Sequence, residues 1–144
     1  MNDISLKETT VRRAIAEGTI AFKPKAFKAL VGNRSPKGNV FETAKIAGIS
    51  AAKMTPSIVP LCHPLALEKV KLQFDPLKTK NMVRVTAEVV CCGKTGVEME
   101  ALAAVSAACL TIYDMMKWAG QDMVISGIRL MHKSGGKSGN FDRG

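Results

Sequence analysis

Between residues 10 and 22 the side chains alternate in character. Arg13, Ile15, Glu17 and Thr19 fall on one side, and Ala14, Ala16, Gly18 and Ile20 on the other. A period of two predicts a strand with one face turned inward. Pro24 then suits the first turn of a helix, whose apolar positions Phe27, Leu30 and Val31 run up to the stop signals Gly32 and Asn33. Residues 34–38, Arg-Ser-Pro-Lys-Gly, read as a turn-rich loop presenting an exposed lysine. Asn39 is placed to cap a second helix, in which Val40, Ala44, Ala47 and Ala51 form a small-residue stripe suited to close packing.

Residues 58–65, IVPLCHPL, break the pattern with prolines at 60 and 64. Each proline lacks a donor and pushes its predecessor toward extended geometry, so His63 is expected on a stiff, non-helical segment. Val70, Leu72 and Phe74 then alternate with Lys69, Lys71 and Gln73. After a turn at residues 78–81, Val83, Val85, Ala87 and Val89 alternate with Arg84, Thr86 and Glu88. These are two antiparallel, half-buried strands.

The longest periodic stretch is residues 93–117. Ala101, Val105, Ala108, Ile112, Met116 and, beyond it, Ala119 recur at helical spacing. The opposite face carries Met99, Ala103, Ser106, Ala107 and Leu110 before reaching Asp114, so it too is suited to burial, with a second subunit as the expected cover. Residues 123–131 predict a last strand, followed by a glycine-rich tail, about 134–144, expected to be flexible. The order strand, two helices, two strands, helix, strand fits an α+β plait of ferredoxin-like type: one domain over 1–144 with an antiparallel sheet and helices on one face.

Composition changes this picture in three ways. A length of 144 residues suits one domain, burying roughly 70% of the surface of the unfolded chain. The uncharged runs fall short of the roughly 20 residues of a membrane span, and the first ten residues lack the apolar core of a signal peptide. No membrane association and a cytoplasmic location are therefore expected. The net charge of +9 favours an anionic partner. The four cysteines, Cys62, Cys91, Cys92 and Cys109, include no C-x-x-C pair and no histidine at ligand spacing, which argues against a zinc site or a disulfide framework. Adjacent Cys91 and Cys92 point to opposite faces of a strand.

Two apparent phosphate loops fail on spacing. Five residues before Gly93-Lys94-Thr95 stands Glu88, and five before Gly136-Lys137-Ser138 stands Met131, where a Walker loop requires glycine. Glu98 and Glu100 complement the helix dipole themselves and oppose a phosphate docked squarely on that end. Taken singly, His63 reads as a hydrogen-bonded loop residue, Asp114 and Lys117 as a helix-surface pair, and Lys133 and Lys137 as solvated. The pair lies on an apolar face, however, where charge is costly and pKa values move.

The phrases DIS, TVRRA, KGNVF, PLCHPL, GKTGVEMEAL, TIYDM with Lys117, and KSGGKSG occur in an order and spacing that resemble the MoaC family of molybdenum cofactor biosynthesis, over nearly the whole chain. One departure is Asn39, where the family pattern has Asp; the helix cap is kept. The resemblance implies a lyase that converts 3′,8-cyclo-7,8-dihydroguanosine 5′-triphosphate to cyclic pyranopterin monophosphate and diphosphate. It implies a ferredoxin-like fold and a homohexamer, a trimer of dimers, with sites at the dimer interface. Carried over by motif, Asp114, Lys117 and Lys37 are the catalytic groups. Leu61, Cys62, His63, Met99 and Glu100 hold the substrate, and Arg12 and Lys133 complete a basic lining around its phosphates. No metal and no resident cofactor are expected: Asp, His and a lysine of lowered pKa supply the proton transfers, and cations meet the departing diphosphate.

Two other readings compete. A basic ferredoxin-like domain serves as an RNA-binding module when its sheet carries stacking aromatics, yet residues 82–90 have none, so no nucleic-acid partner is expected. A non-catalytic nucleotide-binding subunit differs from the enzyme only in turnover.

Overall fold

The computed structural model describes residues 1–144. Its strands are β1 (Thr10–Ala21), β2 (Lys69–Leu77), β3 (Met82–Gly93), β4 (Val124–Ser134) and β5 (Phe141–Asp142). They form one antiparallel sheet in the order β2-β3-β1-β4-β5. The helices are α1 (Pro24–Val31), α2 (Val40–Lys53), α3 (Thr55–Ile58) and α4 (Glu98–Met116). The first four strands and their helical crossovers make the α+β ferredoxin-like plait that the pattern predicts.

Strand β1 pairs with β3 along its whole length, from Thr10 opposite Gly93 to Ala21 opposite Met82. The inward set is the one the alternation selects: Ala14, Ala16 and Ile20 are buried beside Val83, Val85, Ala87 and Val89. Cys91 is buried and Cys92 exposed, as opposite faces require. The outward face carries ion pairs rather than rings: Glu88 bridges Arg13 at 2.6 Å and Lys69 at 2.9 Å, and Glu17 meets Arg129 at 2.7 Å.

Helix α4 lies across the inner face with Ala101, Val105, Ala108, Ile112 and Met116 fully buried. By length and composition it could cross a membrane, at a mean hydropathy of 1.3, but here it packs on the sheet. Gly18 allows its close approach: a Cβ there would stand 2.8 Å from Val105 Cγ1 and 2.9 Å from Ile128 Cγ1. The small stripe of α2 drifts by one residue from the expected set. Val40, Ala44, Gly48 and Ala51 are buried while Ala47 is only partly covered, and a side chain at Gly48 would collide with Leu72.

Two elements lie outside the sequence reading. Thr55 opens the one-turn helix α3 and is fully buried; its hydroxyl donates to the Ala51 and Ala52 carbonyls at 3.0 Å and satisfies the end of α2. The tail turns through Gly135, Gly136 and Gly139, all at positive φ, and returns as β5, with His132 opposite Asp142 and Lys133 opposite Phe141. Too short to show a period, β5 leaves no pattern in the sequence.

Candidate active site

At the carboxy-terminal end of α4, Asp114 accepts a hydrogen bond from the Lys37 ammonium at 2.6 Å through Oδ2 and pairs with Lys117 at 2.8 Å through Oδ1. Local chemistry builds this triad. The loop bearing Lys37 is tied to α4 by the Ser35 hydroxyl, which donates at 2.8 Å to Met115 carbonyl, one of the acceptors a helix end leaves free. Gly38, at φ 103°, turns the chain into α2, where Asn39 Oδ1 accepts from the Glu42 amide at 3.1 Å as the predicted cap.

The triad is half exposed, so a ligand has access to it. Hydrogen bonds from Lys117 and Lys37 hold the Asp114 carboxyl down to about 2, and the Asp114 partnership raises Lys117. This corrects the expected lowering of a lysine pKa: the carboxylate beside Lys117 stabilises its charged form, and burial is too slight to oppose it. Within this chain Lys117 therefore keeps its proton at neutral pH.

A second cluster surrounds the opposite end of the helix. Leu61, Cys62, His63, Met99 and Glu100 line a cavity of about 310 Å³ with Leu65, Thr95, Gly96 and Glu98. The proline-flanked segment leaves α3 in a turn, with the Cys62 amide donating to the Val59 carbonyl at 3.1 Å, and is neither helix nor strand from His63 to Leu67. Glu100 is only 3% exposed and has no cationic partner. Burial, and after it the charge of Glu98, pushes its carboxyl up; burial and the Glu100 charge do the same to the Cys62 thiol. Glu100 thus holds a proton more readily than an exposed carboxylate, and the Cys62 thiol gives its proton up less readily.

Beside this cavity lie two basic ones. Arg12 and Lys133 share the first, of about 120 Å³, with Lys7, Arg13 and Ser138; Arg12 and Lys7 share the second, of about 320 Å³, with Thr10, Lys137 and Ser138. Arg12 is held by the Gly93 carbonyl at 3.3 Å and the Gly135 carbonyl at 3.5 Å. The Lys133 ammonium lies 3.0 Å from Glu98, so Glu98 neutralises part of this lining, which the spacing did not foretell. Lys7, in all three cavities, was not among the expected residues, and no helical or strand period marks it.

The expected residues therefore form two groups. Lys37, Asp114 and Lys117 stand at one end of α4, and Leu61, Cys62, His63, Met99, Glu100, Arg12 and Lys133 at the other. Glu100 and Asp114 are fourteen positions apart, or roughly 21 Å at the helical rise. One end offers an ion-paired ammonium; the other offers a cavity with a carboxyl group, an imidazole and a cationic margin.

The profile of the MoaC family matches residues 1–136. A cyclic pyranopterin monophosphate synthase of Pelotomaculum thermopropionicum is 49% identical over 143 residues, covering 99% of this chain and 84% of the relative. Another, of Methylobacterium sp. strain 4-46, is 51% identical over 141 residues, covering 98% and 88%. A solved structure of the ferredoxin protease FusC matches with a TM-score of 0.36 and 10% identity over 72% of this chain and 10% of its own, too little to bear on the fold. The family match over nearly the whole chain and two relatives at about half identity agree with the motifs at both ends of α4: this chain belongs to the MoaC family.

Proposed function

We propose that this protein is a cyclic pyranopterin monophosphate synthase, a lyase that converts 3′,8-cyclo-7,8-dihydroguanosine 5′-triphosphate to cyclic pyranopterin monophosphate and diphosphate in the cytoplasm, using sites shared between two subunits. The observation that carries the shared site is the separation of the two half-sites along α4. A two-fold pair with its α4 helices side by side and antiparallel sets the triad of one chain against the cavity of the other. The helix surface suits this: Leu110 is 63% exposed and Met99 39% exposed, with Ala103, Ser106 and Ala107 between them. Three such pairs make the hexamer that the motifs imply.

In this reading the cavity with His63 and Glu100 takes the ring system, and Arg12, Lys133 and Lys137 face the phosphates. Lys117 gives up a proton to the substrate, and Asp114 holds the resulting amine until it is reprotonated. Arg12 and the tail lysines offset the charge that develops as diphosphate departs. Incubating the protein with the cyclised nucleotide and following product and diphosphate by mass spectrometry tests the reading. Tight binding without turnover would leave a nucleotide-binding subunit in its place.

A further inference from the structure

Residues 1–7 run along the cavity that holds His63, and their course is fixed at several points. His63 Nε2 lies 2.8 Å from the Asn2 carbonyl oxygen. The Lys94 ammonium donates to the Ser5 carbonyl at 3.1 Å. Asp3 Oδ1 accepts from the Ser5 amide at 2.9 Å, and the Lys7 amide donates to the Ile4 carbonyl at 3.1 Å. Met1, Asn2, Ile4 and Lys7 form one wall of the cavity.

The contact with Asn2 decides a tautomer. A main-chain carbonyl has no proton to give, so the Nε2 of His63 is the donor. In the neutral ring the lone pair then sits on Nδ1. Lys7 carries the second half of the inference. It is the one basic residue shared by the ring cavity and both phosphate-facing cavities, and no carboxylate pairs with it.

We propose, on the reading of the function given above, that residues 1–7 are a working wall of the site: the Asn2 carbonyl holds His63 as the Nε2–H tautomer so that Nδ1 exchanges the proton with substrate, and Lys7 sets a cation where the ring cavity meets the phosphate cavities. A proton taken from the substrate at Nδ1 makes an imidazolium whose bond to the Asn2 carbonyl is strengthened by the charge. Returning that proton to the product or to water restores the neutral ring. Asn2 is a positioning residue here, and Lys7 a binding one.

Nitrogen-15 correlation spectra of the imidazoles test the first half. His132 is the other histidine of the chain, and a His132→Gln background leaves one ring to observe. The intact chain should show a protonated Nε2 and a bare Nδ1. Removing residues 1–4 should give mixed tautomers and lower kcat about tenfold, part of the roughly 10²- to 10⁴-fold that a proton-transfer group supplies, with melting unchanged. The same tautomer and rate with and without those residues would sink the role of Asn2. For Lys7, titration with inorganic diphosphate followed by calorimetry should show affinity lost about tenfold in Lys7→Ala and regained in Lys7→Arg, with KM rising in parallel. Equal affinity in all three proteins would remove Lys7 from the site. Neither the spectra nor the titration needs turnover, so an inactive wild-type protein would count against the assigned reaction while these readouts still decide the wall.

Discussion

The Lys37 ammonium meets the Asp114 carboxylate at 2.6 Å across 77 residues of chain. Both groups belong to one subunit, because the loop of Lys37 is tethered to the end of α4 by Ser35 and Met115. With Lys117 on the other oxygen, the carboxylate stands between two cations at a half-exposed helix end.

Losing this triad should cost rate far more than stability. Asp114→Asn and Lys117→Ala are each expected to lower kcat by about 10²- to 10⁴-fold, with melting little changed because water screens the pairs. Lys117→Arg should fail as well, since guanidinium keeps the charge but does not release a proton near neutral pH. Single-turnover rates beside thermal melts check all three; a fully active Lys117→Arg protein would reduce Lys117 to an electrostatic role. The pH signature follows from the depressed Asp114 carboxyl. Its contribution to stability is present above the unfolded value of 3.8 and is lost as pH falls through the folded value of about 2. The melting difference between wild type and Asp114→Asn should therefore close between those limits and stay constant above them.

Subunit mixing tests the shared site. Lys37→Ala mixed with Asp114→Ala should show no rescue, because both residues belong to the same end of the same chain. Asp114→Ala mixed with His63→Ala should recover about a quarter of wild-type activity, the share of sites with both ends intact when subunits pair at random about a two-fold axis. Absence of rescue in the second mixture, with exchange of subunits verified by mass, would place a complete site in one chain.

Glu100 separates function from stability in the opposite sense. Burial raises its carboxyl, so the folded state binds the proton more tightly than the unfolded one. Stability tied to this group is fully present below the unfolded value of 4.5 and is lost as pH rises through the folded value. Glu100→Gln should melt higher than wild type at pH 7 and equal to it near pH 4, while turnover falls. A lower melting temperature at pH 7 would mean that the carboxylate has a stabilising partner in the assembled protein.

Gly136 shapes the basic margin. At φ 82° it suits glycine, and a Cβ there would collide with the Arg12 guanidinium. Gly136→Ala should cost on the order of 1 kcal/mol from backbone strain and also raise KM by displacing Arg12. Gly127 provides the control: its φ is 64°, with open space around its Cβ position. Gly127→Ala should lower melting without touching KM, and equal KM effects in the two variants would separate Arg12 from phosphate binding.

The sequence by itself determined the elements whose signal is local. Ala14, Ala16 and Ile20 sit two apart and Ala101, Val105, Ala108 and Ile112 three or four apart, and all are buried because strand and helix periods carry those spacings to one face. The MoaC motifs likewise named the residues at both ends of α4. Only the tertiary structure decided which of them meet. Lys37 reaches Asp114 through the docking of a loop on a helix end, which sets a second cation on a carboxylate that Lys117, three residues further along, already meets. Thr55 beneath the end of α2, β5 against β4, and Asn2 on His63 are contacts of the same kind. Periodicity records which face a side chain takes, whereas hydrogen bonds between distant segments depend on how those faces pack, and no spacing along the chain encodes them.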